Sequence, residues 1–81
     1  MRPPENAVRN ILVKQWVEKA RQDLAAAEAL LSHEPPLPYP VCFHCQQASE
    51  KYLKAFLTYH QVEFPKTHSV HELLDLISTV D

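Results

Sequence analysis

The strongest constraint on the fold is the stretch from Val41 to Gln61, VCFHCQQASEKYLKAFLTYHQ, whose apolar residues recur at helical spacing. At about 100° per residue, one broad arc of such a helix carries mainly apolar and small side chains. That arc contains Val41, Cys42, Cys45, Ala48, Tyr52, Leu53, Phe56 and Leu57. We therefore predict one long, largely buried helix over residues 41–61, around which the rest of the chain packs.

The opposite side of this predicted helix is polar, which is typical of a face turned to solvent. It carries His44, Gln47, Glu50, Lys51 and Lys54. Glu50 and Lys54 are spaced for a favourable ion pair one turn apart, and the two lysines are candidate phosphate contacts. Gln46 differs because it falls between Leu53 and Leu57 on the helical wheel, so its amide needs a partner in the core or at an interface.

A first amphipathic helix is predicted over residues 10–31, after a loose leader at 1–9 in which Asn6 or Asn10 could cap it. Its apolar stripe contains Leu12, Val13, Trp16, Val17, Ala20, Leu24, Ala27 and Leu31. The small side chains of Ala20 and Ala27 allow a second helix to come close. Asp23 lies at the margin of the stripe, where a carboxylate either reaches water or points into a polar pocket between helices.

Two further segments complete the predicted architecture. Residues 32–40, SHEPPLPYP, are rich in proline and predict a stiff, extended connector. The pattern Ser69-x-x-Glu72 is a capping box, which predicts a third helix over 69–81 that starts at Val70 and reaches the chain end. The expected fold is all-α, a single domain over 1–81 forming an up-and-down helical bundle of two long antiparallel helices plus a third.

Composition excludes several classes of protein. The formal charge of −2 gives no general attraction to nucleic acid, so any RNA contact would be local. The chain has no glycine, which excludes phosphate-cradling loops of the Walker or dinucleotide-binding type. No apolar run is long enough for a membrane span, and the N-terminus lacks a secretion signal, so we expect a cytoplasmic protein with free thiols.

One set of cysteines and histidines suggests the hypothesis of a zinc-binding site. Cys42-x-x-Cys45 and His68-x-x-His71 together supply four possible ligands. The cysteines, however, lie on the apolar arc of a helix and the histidines are too closely spaced, so we interpret the cysteines as small buried hydrophobic residues. We predict no metal and no cofactor, with His68 as an anchor of the turn before the third helix.

Two motifs resemble the HEPN domain family of prokaryotes. The first is Phe43-x-x-Gln46-Gln47-Ala48-x-Glu50-Lys51-x-Leu53-Lys54-Ala55, and the second is Pro65-x-Thr67-His68-x-Val70-x-x-Leu73-Leu74. The pattern Trp16-x-x-x-Ala20-x-x-Asp23-Leu24-x-x-Ala27 is similar to the opening helix of that family. The resemblance extends from about Trp16 to Ile77. It implies a helical bundle, a homodimer, and association with RNA or nucleotide and with a minimal nucleotidyltransferase in a toxin–antitoxin pair.

The resemblance also implies where function would reside. The candidate nucleotide, RNA or interface residues are Asp23, Gln46, Gln47, Glu50, Lys51, Lys54 and His68. Many family members are metal-independent ribonucleases that use an arginine followed four to six residues later by a histidine, and this sequence contains no such pair. We therefore expect a binding and dimerisation module. The alternatives are a ribonuclease whose Arg-x4–6-His motif lies beyond residue 81 of a longer protein, and a zinc-binding helical module.

Overall fold

The computed structural model describes residues 5–80, and within that range the secondary structure is entirely helical. Helix α1 spans Glu5–Leu31, α2 spans Pro38–Tyr59 and α3 spans Val70–Ile77. The predicted all-α bundle is confirmed. None of these helices combines the length and the apolar character that a membrane crossing needs.

Helices α1 and α2 form an antiparallel hairpin. Contacts that join Arg9 to Tyr59, Trp16 to Lys54 and Asp23 to Lys51 show that the start of α1 lies beside the end of α2. Alanine lines the helix interface on both sides: the buried set contains Ala20, Ala27, Ala48 and Ala55. Because these side chains are so small, the two backbones approach closely, as the sequence predicted for α1.

Both long helices begin earlier than the sequence predicted. Helix α1 starts at Glu5, so Asn6 and Asn10 lie inside it and neither caps it, while residues 1–4 of the predicted leader lie outside the described range. Helix α2 starts at Pro38, which shortens the proline-rich connector. Prolines are tolerated there because the first-turn N–H groups have no partner inside a helix, and the Val41 N–H donates to the Leu37 carbonyl at 3.2 Å.

The end of α2 turns through a Schellman motif without glycine. The Val62 N–H donates to the Leu57 carbonyl at 2.9 Å, and the Gln61 N–H donates to the Thr58 carbonyl at 3.1 Å. Gln61 has a φ of 58°, in the left-handed region. This geometry is normally taken by glycine, so Gln61 carries the strain that a side chain adds there.

Helix α3 has the predicted N-cap but stops short of the predicted end. Ser69 Oγ accepts a hydrogen bond from the Glu72 N–H at 3.2 Å. The Glu72 carboxylate accepts from the Thr67 hydroxyl rather than from the Ser69 backbone, whose N–H donates to Thr67 Oγ1. The helix ends at Ile77, where the side chains of Ser78 and Thr79 bond back to nearby carbonyls and offer the backbone an alternative to helix. Asp81 lies outside the described residues.

The orientation of α2 is the main correction to the sequence analysis. The polar side faces α1, whereas half of the apolar arc is exposed, so α2 is not largely buried. We call the outward side the outer face of α2, made of Cys42, Cys45, Ser49, Tyr52, Leu53 and Phe56. The physical reason is that α1 offers partners to the polar side in the space between the helices. Asp23 meets Lys51 there, and the Trp16 ring lies over Lys54. Polar groups can occupy that space because oppositely charged partners meet there.

Candidate functional site

The first part of the site joins α1 to α2 through one carboxylate. Asp23 Oδ1 lies 3.0 Å from His44 Nδ1, and Asp23 Oδ2 accepts a hydrogen bond from the Lys51 ammonium. The Asp23 side chain is only 13% exposed. The sequence left two positions for the Asp23 carboxylate, one in water and one in a polar pocket between helices. The structure places it in the polar pocket. From the middle of α1, Asp23 thus holds two residues of α2 that lie two helical turns apart.

The ionisation of Asp23 reflects two opposed effects. Burial alone would raise the pKa of its carboxyl, but hydrogen bonds from Lys51 and His44, together with their positive charge, outweigh it. The pKa of Asp23 therefore lies below its ordinary value. The carboxylate is ionised at neutral pH and holds its two partners in place.

The second part of the site is centred on Glu50, which is 2% exposed although it is charged. Its Oε2 lies 3.6 Å from the Lys54 ammonium one turn later on the same helix. Both of its oxygens lie 3.2 Å from His68 Nδ1, in the segment that leads to α3. His68 thus anchors the turn before α3 on α2, as the sequence predicted. A buried carboxylate needs such partners, since an unpaired one would be very costly.

Trp16 lies over the second part of the site from α1. The Lys54 ammonium is 5.2 Å from the centroid of the indole ring, and Lys19 lies at the same distance within α1. Phe64, in the loop after α2, packs against Trp16 with ring centroids 6.3 Å apart. Lys54 is therefore enclosed by a carboxylate and an aromatic face, which together compensate for its removal from water.

We call these six ionisable residues the polar seam: Asp23, His44, Glu50, Lys51, Lys54 and His68. Every cation of the seam meets a carboxylate, and both lysines point into the protein. The prediction that Lys54 lies on a solvated face is wrong, because that residue is 7% exposed. The chemistry of the seam is instead mutual charge compensation, which fixes the register of α2 against α1 and the loop before α3.

The remaining predicted residues lie apart from the seam. Gln46 is exposed, so its amide does not require a partner in the core of this chain, and Gln47 is half-buried. Cys42 and Cys45 are free and exposed, which corrects their interpretation as buried hydrophobic residues.

The four weak metal candidates do not converge. His68 is bound to Glu50, His71 lies 3.6 Å from Asp75 one turn away, and the two cysteines face outward. Over residues 5–80, no three side chains of histidine, cysteine, aspartate or glutamate form a group that could hold a metal ion.

Sequence reasoning overlooked two members of this region as site residues, His44 and Trp16. A signal for His44 existed: it precedes Lys51 by seven residues, which is two helical turns, so the two side chains share one face. Combining that spacing with the marginal position of Asp23 on α1 would have suggested the cluster. Trp16 gave no such signal, since a tryptophan on an apolar stripe is ordinary core.

One comparison with known proteins gives a match. The family model described as "HEPN domain" matches residues 13–81, which includes α2, α3 and all of α1 after its first turns. Comparison with curated proteins and with solved structures gives no match.

Proposed function

Since this chain belongs to the HEPN domain family, we propose that it is a binding and dimerisation module that associates with RNA or nucleotide. The family indicates a nucleotide- or RNA-related module in general. The chemistry of the polar seam supports binding over catalysis, because its charged groups compensate one another and hold the helices together. The candidate residues of the seam serve this function by shaping the bundle.

The observation that carries the dimerisation proposal is the exposed outer face of α2. Tyr52 and Phe56 are 38% and 40% exposed, and the face as defined carries no charged residue. Helix α3 packs on α2 without contacting α1. Within the described chain, all residues of the outer face except the half-buried Leu53 remain exposed. A second copy fits such a face well, because two identical neutral, apolar surfaces meet without charge repulsion and each covers the other.

The finer parts of the proposal rest on the family resemblance. They are a minimal nucleotidyltransferase as partner, a role in a toxin–antitoxin system and a cytoplasmic location. A direct test of the partnership is co-expression of this chain with a nucleotidyltransferase encoded beside it, followed by affinity purification of one and mass spectrometry of both. Recovery of the chain alone would count against that partnership.

Sedimentation velocity at micromolar concentration tests the dimer. We expect a species of twice the chain mass that dissociates on dilution, and a monomer throughout would refute dimerisation. Fluorescence anisotropy with a labelled single-stranded RNA tests the association with RNA. We expect saturable binding that weakens as salt is raised, since phosphate contacts release counterions. Absence of binding at low salt would refute this part of the proposal.

A further inference from the structure

The start of α1 and the end of α2 bring together a cation and three aromatic rings that the polar seam does not use. The guanidinium carbon of Arg9 lies 4.9 Å from the centroid of the Tyr59 ring. The imidazole of His60 meets Tyr59 edge to face at 5.1 Å and lies 4.4 Å from Phe56. We call Arg9, Phe56, Tyr59 and His60 the aromatic cluster.

The cluster is open to solvent on its aromatic side. Tyr59 is 50% exposed, Phe56 is 40% exposed and His60 is exposed as well. Arg9, which supplies the charge of the cluster, is half-buried.

The geometry points to a binding site for a nucleobase that carries phosphate. An exposed ring such as Tyr59 offers a flat surface on which a base stacks, and an adjacent guanidinium supplies the positive charge and the donors that a phosphate accepts. A local site of this type is what a chain with a net charge of −2 requires, because it has no general attraction to a polyanion. This inference depends on the RNA or nucleotide association proposed above and locates it.

The site borders the proposed dimer surface and shares one residue with it. Phe56 belongs to both, but Tyr59 lies about 60° around the helix from Phe56, on the side next to α1. A second copy seated on the outer face of α2 would therefore border the cluster while Tyr59 and Arg9 stay accessible from the α1 side.

Two variants with matched controls test the assignment in the full chain. Arg9→Gln removes the charge, and Tyr59→Leu keeps apolar bulk while it removes the ring. The controls are Arg21→Gln, an exposed arginine of the same helix, and Tyr39→Leu, a tyrosine that is 83% exposed at the opposite end of α2. Circular dichroism melts verify that all four variants fold.

The probes are a fluorescein-labelled oligouridylate, read by anisotropy, and unlabelled uridine monophosphate as competitor. We expect Kd for the oligonucleotide to rise about tenfold in Arg9→Gln and in Tyr59→Leu and to stay nearly unchanged in both controls. Competition by the monophosphate would identify a single nucleotide as a sufficient ligand, whereas its failure would assign the site to a longer single strand.

The outcomes separate this inference from the proposed function. If the unmodified chain binds the oligonucleotide but Arg9→Gln and Tyr59→Leu bind as tightly as the controls, the cluster is not the site, although the association with RNA stands. If the unmodified chain binds neither probe, both proposals are overturned.

Discussion

At the scale of single residues, a few side chains carry unusual strain or charge. Asp23 and Glu50 are carboxylates removed from water, and each is compensated by one lysine and one histidine. Gln61 adopts a backbone conformation that glycine would take more readily. Each of these residues gives an expectation about stability that a single substitution can measure.

Replacing Asp23 by asparagine should lower the free energy of unfolding by about 1–3 kcal/mol, because Lys51 and His44 lose the charge that compensates them. Glu28→Gln, at an exposed position of α1, should have almost no effect. Urea titration followed by circular dichroism compares the two variants. Equal stability of both would show that the cluster contributes nothing to the fold.

The lowered pKa of Asp23 also predicts a dependence on pH. The folded protein binds this proton less readily than the unfolded chain, so the stabilisation is present above the unfolded pKa of about 4 and is lost as pH falls through the folded value. Acid titration of thermal stability should therefore show a steeper loss below about pH 4 for the unmodified chain than for Asp23→Asn. Parallel profiles would contradict this assignment.

Gln61→Gly should raise the free energy of unfolding by about 0.5–1 kcal/mol, since glycine relieves the positive-φ strain while the Schellman hydrogen bonds remain. Gln22→Gly, at an exposed position within α1, should lower the free energy of unfolding by about 1 kcal/mol. In thermal melts we expect Tm to rise in Gln61→Gly and to fall in Gln22→Gly. A loss at both positions would mean that relief of strain at Gln61 does not outweigh the added chain entropy.

At the scale of helices, the sequence indicated which segments are helical more reliably than which side of each is buried. The capping box located the start of α3 at Val70, and the short polar side chains after Ile77 ended it. These are local signals, because the groups that satisfy one another lie within a few residues. The buried side of α2 had no local signal, since it depends on what α1 presents.

Ser69→Ala should lower stability by about 1 kcal/mol, because the Glu72 N–H loses its acceptor at the start of α3. Ser49→Ala is the matched control: that hydroxyl bonds back to the Cys45 carbonyl inside α2, and alanine favours helix there. Hydrogen exchange of the amides in 70–77 should accelerate in the first variant alone. Unchanged exchange would indicate that α3 is held by packing of Leu73 and not by its cap.

At the scale of the whole molecule, the outer face of α2 leaves two aromatic side chains, Tyr52 and Phe56, exposed to water. A chain of 81 residues buries only a small apolar core, so an apolar face left in water lowers its stability. A covering partner would stabilise the folded state by mass action. The same face therefore links the stability of the chain to its proposed association.

Tyr52→Glu should prevent dimerisation, because it would place two like charges in the covered face, and it should abolish any rise of Tm with protein concentration. Ile11→Glu changes an exposed apolar residue of α1 that lies outside this face and should leave both properties intact. Sedimentation and concentration-dependent melts provide the comparison. Equal effects of the two variants would show that the outer face of α2 is not the interface.

The sequence by itself determined that the chain forms three helices and that the third begins after Ser69, because periodicity and capping act over one or two helical turns. Its motifs also indicated the family. Only the tertiary structure decided that Glu50 and Lys54 are buried while Tyr52 and Phe56 are exposed. A helical wheel shows that α2 has two unlike faces, but not which one α1 will accept. Asp23 on α1 supplies the charge that makes the polar face of α2 acceptable there, and the Trp16 ring of α1 covers Lys54.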